Sequence, residues 1–201
     1  LEVVREGDGP APQVNVRNKE KAGAEAGIDP ISCRRPASIA QRELENLIAG
    51  LNANPAIDGI LLQLPLPGGV DARPCIEAVS PEKDVDGLTA VNQGRVAMNV
   101  PGLRPCTPAG ILALLDHYHI STVGKKAVVI GRSNLVGRPV ALMLGSRDYN
   151  ATVTLCHSRP PDLASVCREA DIHVAAPGRP RFVTHATVRP RALPRSVGPT
   201  R

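Results

Sequence analysis

The spacing of apolar positions changes several times along the chain, and each change predicts an element. Leu1-Glu2-Val3-Val4 is apolar enough for a short strand, and Gly7-Asp8-Gly9-Pro10 breaks it. A helix is expected from about Val14 to Ala26, closed by Gly27 where helices often turn left-handed. Ser38 is expected to open the next helix, with Gln41 three residues on completing a capping box. Leu44, Leu47, Ile48 and Leu51 then recur at helical spacing, and Asn52-Ala53-Asn54-Pro55 ends the pattern. Ile60-Leu61-Leu62-Gln63-Leu64 is a short apolar run of the kind found in buried parallel strands. Pro65 and Pro67 stop it, because proline has no N–H to give a ladder.

The second half alternates more regularly. Thr107-Pro108 reads as a hydroxyl cap followed by proline at the first helical position, and Ile111, Leu112, Leu114 and Leu115 supply an apolar face. A strand follows at Lys125–Ile130, then a glycine-bearing turn and a helix to about Leu144. A strand at Thr152–Cys156, a helix near Asp162–Glu169 and a strand at Ile172–Ala176 complete the series. This order is half of a doubly wound dinucleotide fold. The fold class expected is therefore α/β, with two α/β domains, 1–109 and 110–201, the second Rossmann-like.

Composition narrows the class. Hydrophobic residues make up 42% and aromatics only 1%, so the core is aliphatic. No apolar run approaches the roughly 20 residues that span a bilayer, so no membrane role is expected. Five cysteines, Cys33, Cys75, Cys106, Cys156 and Cys167, are odd in number and form no CxxC pair, which points to a reducing, cytoplasmic setting. The net charge of +5 arises entirely after residue 158, where eight arginines face Asp162, Glu169 and Asp171. Phe182 is the one aromatic there, so base stacking has little to work with and no nucleic-acid partner is expected.

The strongest local signal is Gly131-Arg132-Ser133-Asn134-Leu135-Val136-Gly137, between a buried strand and a helix. Small residues let backbone approach a pyrophosphate, and the helix points its positive end at it. Ser133 replaces the usual second glycine, so the motif alone is weak and gains weight from its strand-turn-helix context. The next strand ends in His157-Ser158-Arg159, with no carboxylate to bind ribose hydroxyls. A hydroxyl and a guanidinium suit a 2′-phosphate, so NADP is expected as cofactor rather than NAD, with Arg132 able to reach the same phosphate.

Four polar residues of the first half invite a chemical reading. Lys19 follows Asn15 by four residues and shares its helix face. Gln63 interrupts an apolar strand, and a buried amide needs partners, of which Lys19 is one candidate. Asp84 and Asp86 stand in Pro81-Glu82-Lys83-Asp84-Val85-Asp86-Gly87, where turn formation is the plainer explanation. A helical lysine is commonly solvated, but one held in a partly desolvated cleft serves as acid or base near neutral pH. The histidines His117, His119, His157, His173 and His185 share no metal-ligand spacing, and no hydrolase triad stands out.

Together these motifs resemble the bifunctional methylenetetrahydrofolate dehydrogenase/cyclohydrolase family. The resemblance covers nearly the whole chain, most specifically at Asp58–Pro67, Pro81–Gly87, Arg104–Pro108, Gly131–Gly137 and Ala151–Ser158. It implies NADP-dependent oxidation of 5,10-methylenetetrahydrofolate, then hydrolysis to 10-formyltetrahydrofolate, in a cleft between the domains of a homodimer subunit. It implies that Lys19 is the acid/base lysine, that Gln63 holds it, and that Asp86 binds the pterin edge. Cys106-Thr107-Pro108 would line the cleft, and Gly131, Arg132, Ser133 and Ser158 would hold NADP. The family's tyrosine four residues before the lysine is replaced here by Asn15, and a usual serine by Pro12. Pro194, Arg195 and Pro199 do not suit the buried strand expected near Val197. The family's first helix is expected ahead of Leu1 and its closing helix after Arg201, so both ends read as incomplete. Two alternatives stand: a weak or inactive fragment that keeps nucleotide binding, and a shikimate-type dehydrogenase, which the first two motifs oppose.

Overall fold

The computed structural model describes residues 2–6, 21–36, 38–66, 69–157, 162–176, 178 and 193–196, with backbone alone for 2–6, 34 and 193–196. Packing divides the chain into two units, Leu1–Asn92 and Gln93–Arg201. The division falls ahead of the expected boundary near residue 109: Val96 packs into the second unit's core together with Ile111, Leu112 and Leu115 of the helix Cys106–His117.

In the first unit, strands β1 (Glu2–Glu6), β2 (Ile31–Arg35) and β3 (Ile60–Leu62) form a parallel sheet in the order β2-β1-β3. Residues 21–25 are helical. That stretch closes as expected at Gly27, whose φ is +75°. The Ile28 N–H reaches back to the Gly23 carbonyl, and the Gly27 N–H to that of Ala24. Helix α1 (Gln41–Ala53) buries Leu44 and Ile48 completely against Ile60, Leu62, Cys75 and Val79.

Three expectations for this unit change. Strand β2 was not foreseen; it flanks the sheet, is rich in polar residues and lies between Pro30 and Pro36, so it carries no apolar run to notice. The capping box at Ser38 does not form: the helix starts at Gln41, with Ala40 at the cap position and no side-chain cap hydrogen bond. The Gln41 amide turns instead to Asp71, accepting its N–H at 2.8 Å, and donates to Glu45 at 2.6 Å. Helices α2 (Ala72–Ala78) and α3 (Ala90–Ala97) are also additional. Asp71 caps the first by accepting the Arg73 N–H, and the Glu77 carboxylate caps the second by accepting the Ala90 N–H.

The second unit holds a four-stranded parallel sheet in the order β5-β4-β6-β7, from β4 (Lys126–Ile130), β5 (Thr152–Cys156), β6 (Ile172–Ala175) and β7 (Leu193–Ser196). Ala127, Val129, Ile172 and Val174 face a core shared with α4 (Cys106–His117) and α5 (Gly137–Leu144). Val128, Ile130 and Cys156 face the other way, toward α6 (Leu163–Arg168). Apolar packing on both faces is what a doubly wound sheet requires. Helix α4 starts two residues earlier than expected, so Pro108 sits in its first turn, where a missing N–H costs nothing. Leu114, assigned to the apolar face, is 47% exposed instead.

The strand expected near Val197 falls mostly on residues 197–201, outside the described residues, but Pro194 does not bar a strand just before it. Leu193–Ser196 pairs in parallel with β6, with Pro194 opposite His173. β7 is the last strand of the sheet among the described residues, and edge positions tolerate proline.

His173 is 1% exposed, and neither ring nitrogen has a hydrogen-bond partner among the described residues. Burial lowers its pKa from the usual 6.5, so folding disfavours the charged ring. Below about pH 6.5 the unfolded chain takes up a proton that the folded chain refuses, so stability falls as pH falls. Thermal melts between pH 7.5 and 5.5 are expected to show this loss, and His173→Leu is expected to reduce the slope. Equal slopes in parent and variant would count against it.

Candidate active site and dinucleotide turn

The turn after β4 is built by two glycines. Gly131 adopts φ +113°, a region that side chains avoid, and its N–H donates to the Cys156 carbonyl at 2.8 Å, tying the turn to β5. At Gly137, the first residue of α5, a Cβ would overlap the Gly131 carbonyl. The helix start therefore lies directly against the end of the strand, as a phosphate-binding turn requires.

Ser133 has a local role. Its Oγ accepts the N–H groups of Val136 at 3.2 Å and Gly137 at 3.4 Å, supplying α5 with the cap that Val136 itself lacks. Its own O–H remains available to donate. Arg132 is exposed and makes no hydrogen bond or ion pair with the described residues. Arg138 is engaged, donating to the Asn134 side chain at 3.0 Å. Cys156, at the end of β5, has its thiol pKa pushed up by burial and is no reactive group. Ser158 lies outside the described residues. The glycine cradle, the exposed guanidinium and the absence of an acid through His157 fit a dinucleotide with a 2′-phosphate.

In the first unit, Gln63 follows β3 rather than lying within it, and its Nε2 donates to the Leu64 carbonyl at 2.9 Å. Asn15 and Lys19 lie outside the described residues. The two aspartates separate clearly. Asp84 is 4% exposed and accepts from the N–H groups of Leu88 and Thr89, the Thr89 hydroxyl and the Asn92 amide. Asp86 is half-buried and shares a small depression with Asp84, Ile60, Leu62, Ile76 and Leu88. Thr89 and Asn92 were missed by sequence reasoning, since nothing in a polar residue's type says that it will be buried. Pro108 is buried in α4, and the described residues contain no cluster able to hold a metal.

A doubly wound sheet with a glycine-built phosphate turn, preceded by a separate α/β unit, defines the chain as a dinucleotide-dependent α/β enzyme. It belongs to the tetrahydrofolate dehydrogenase/cyclohydrolase family, whose catalytic domain matches residues 1–86 and whose NAD(P)-binding domain matches residues 105–201. The bifunctional protein FolD of Oleidesulfovibrio alaskensis is 56% identical over 200 residues, which is 98% of this chain and 70% of that protein. The FolD methylenetetrahydrofolate dehydrogenase/cyclohydrolase of Campylobacter jejuni has a TM-score of 0.89 at 40% identity, covering 94% of this chain and 66% of that one. The Trypanosoma brucei enzyme, solved with NADP cofactor and inhibitor, has a TM-score of 0.88 at 35% identity, covering 94% and 64%.

Proposed function

We propose that this chain carries out its family's two reactions with a division of labour between its units. The activity is NADP-dependent oxidation of 5,10-methylenetetrahydrofolate to the methenyl compound, followed by hydrolysis to 10-formyltetrahydrofolate. The observation that carries the cofactor side is the close approach of Gly137 to Gly131, which sets the start of α5 directly against the end of β4 and excludes a side chain there.

NADP, when bound, accepts the hydride released by the folate methylene carbon. The chain's own part in that step is orientation. The α5 N-terminus and the Ser133 hydroxyl hold phosphate, while Arg132 and Ser158 select the 2′-phosphate. In the first unit Asp86 binds the pterin edge, with Asn15 beside the folate; Pro108, which belongs to the second unit, is the other residue assigned to the folate. Lys19 takes a proton from the water that adds to the methenyl carbon. The ring C–N bond then breaks, its nitrogen regains a proton, and one proton is released overall. Gln63 holds the lysine amine in place. Asn15 stands where the family has tyrosine, so folate contacts here are amide rather than aromatic.

Two wider readings belong to the same proposal. The protein acts as a homodimer, on the strength of the family resemblance. It works in the cytoplasm, which the five free thiols support. Among the described residues no helix is long and apolar enough to cross a membrane.

Calorimetric titration tests the cofactor assignment. NADP is expected to bind more tightly than NAD, and Arg132→Ala to weaken NADP by about ten- to a hundredfold with little effect on NAD, as loss of a charge-assisted phosphate contact requires. Equal affinities in the parent, or an unchanged NADP affinity in the variant, would remove Arg132 from the site.

A further inference from the structure

Asp86 occupies the third position of a tight turn. The Gly87 N–H closes it on the Asp84 carbonyl at 3.0 Å, and Gly87 has φ +61°. What holds such a turn in place is rarely the turn itself. Here the anchor is the residue two before Asp86.

The Asp84 carboxylate is almost fully withdrawn from water, and its oxygens are occupied by four donors. Oδ1 accepts the Leu88 N–H at 3.1 Å. Oδ2 accepts the Thr89 N–H at 2.9 Å, the Thr89 hydroxyl at 2.8 Å and the Asn92 amide at 2.9 Å. A carboxylate offers about four lone-pair positions, so little capacity remains for a ligand. Three of these donors belong to the two residues just after the turn, so one side chain fixes its exit. The entry is fixed separately. The Ile60 N–H donates to the Lys83 carbonyl at 2.7 Å, joining the segment to β3 by an isolated bridge. The Lys83 ammonium donates to the carbonyls of Leu51, Asn52 and Asn54 at the end of α1.

We propose that Asp84 is a positioning residue for folate recognition: it touches no substrate and acts by holding the Asp84–Gly87 turn so that Asp86 is presented at a fixed depth beside β3. The proposal rests on the reading of Asp86 as a folate-binding group. A buried acceptor set of this kind is all or nothing, because an amide in its place turns an N–H against backbone N–H donors.

The test is a double-mutant cycle read by calorimetry with tetrahydrofolate, with NADP as an internal control and a thermal melt of each protein. Asp84→Asn is expected to weaken tetrahydrofolate by about tenfold, the order expected when buried donors lose their acceptor. NADP affinity should not move. In an Asp86→Asn background the same change is expected to have less than about a twofold effect, since a positioning residue has nothing left to position. Equal weakening in both backgrounds, or none in either, overturns the proposal while leaving the reading of Asp86 intact. Unchanged tetrahydrofolate affinity in Asp86→Asn alone overturns the reading of Asp86, and the proposal with it. If Asp84→Asn does not fold, Thr89→Val removes a single hydroxyl donor, and the same cycle applies: loss of folate affinity only when Asp86 is present supports the proposal, and an equal loss in both backgrounds overturns it.

Discussion

Hydrolysis of the methenyl compound is expected to fall by two or more orders of magnitude in Lys19→Met, the range over which positioned acid–base groups act. Methionine keeps the length and flexibility of the side chain and removes its proton. NADP affinity should be unchanged, because the phosphate turn belongs to the other unit. The measurement is decay of the methenyl absorbance in parent and variant, with NADP titration beside it. A variant that hydrolyses at the parent rate would exclude Lys19. A variant that also loses NADP would show a folding defect, and Lys19→Arg would then be needed to separate charge from proton transfer.

The second large effect is expected at Gly137. Alanine places a methyl carbon on the Gly131 carbonyl, and backbone cannot step aside as a flexible side chain can. Either α5 moves away from β4, opening the turn, or the strand end shifts and breaks the bond from the Gly131 N–H to Cys156. Both routes spoil the phosphate site. Overpacking of this kind costs about 1–3 kcal/mol, and a lowered melting temperature with NADP affinity below detection is the expected pair of results. The control is Gly145→Ala. Gly145 caps the same helix at φ −80°, where the nearest contact for a Cβ is 3.3 Å, so a far milder change is expected. Wild-type NADP affinity in Gly137→Ala would mean that the turn binds no phosphate.

Legibility in the sequence followed burial. Strands β4 and β6 sit within the second unit's cores, so their apolar runs mark them to within about a residue, whereas β5 flanks the sheet and buries only Cys156. α6 was equally visible, because Asp162 announces its start. β2 was not, since a flanking strand needs no continuous apolar run and its ladder is made by backbone alone. The short helices α2 and α3 escaped because seven or eight residues give too few turns for periodicity to show. Pro194 stands in β7, which ends the sheet among the described residues, and the rule against proline applies to central strands rather than to such a position. For the candidate site, Asp84 and Asp86 looked equivalent as letters. Only the fold separates them, by turning one inward onto four donors and leaving the other half-buried. The folate assignment came from the ordered motifs taken together, since a lone lysine would not have carried it, and the preference for NADP came from the strand end His157-Ser158-Arg159, which has no acid.

The distribution of thiols gives this protein a natural place for a reporter group. Cys75, Cys156 and Cys167 are buried, Cys33 is partly covered, and Cys106 is exposed as the first residue of α4. A bulky maleimide therefore reaches Cys106 well ahead of the buried three, two residues from Pro108. A fluorophore attached there would stand on the segment assigned to the folate, in a chain without tryptophan to compete with its signal.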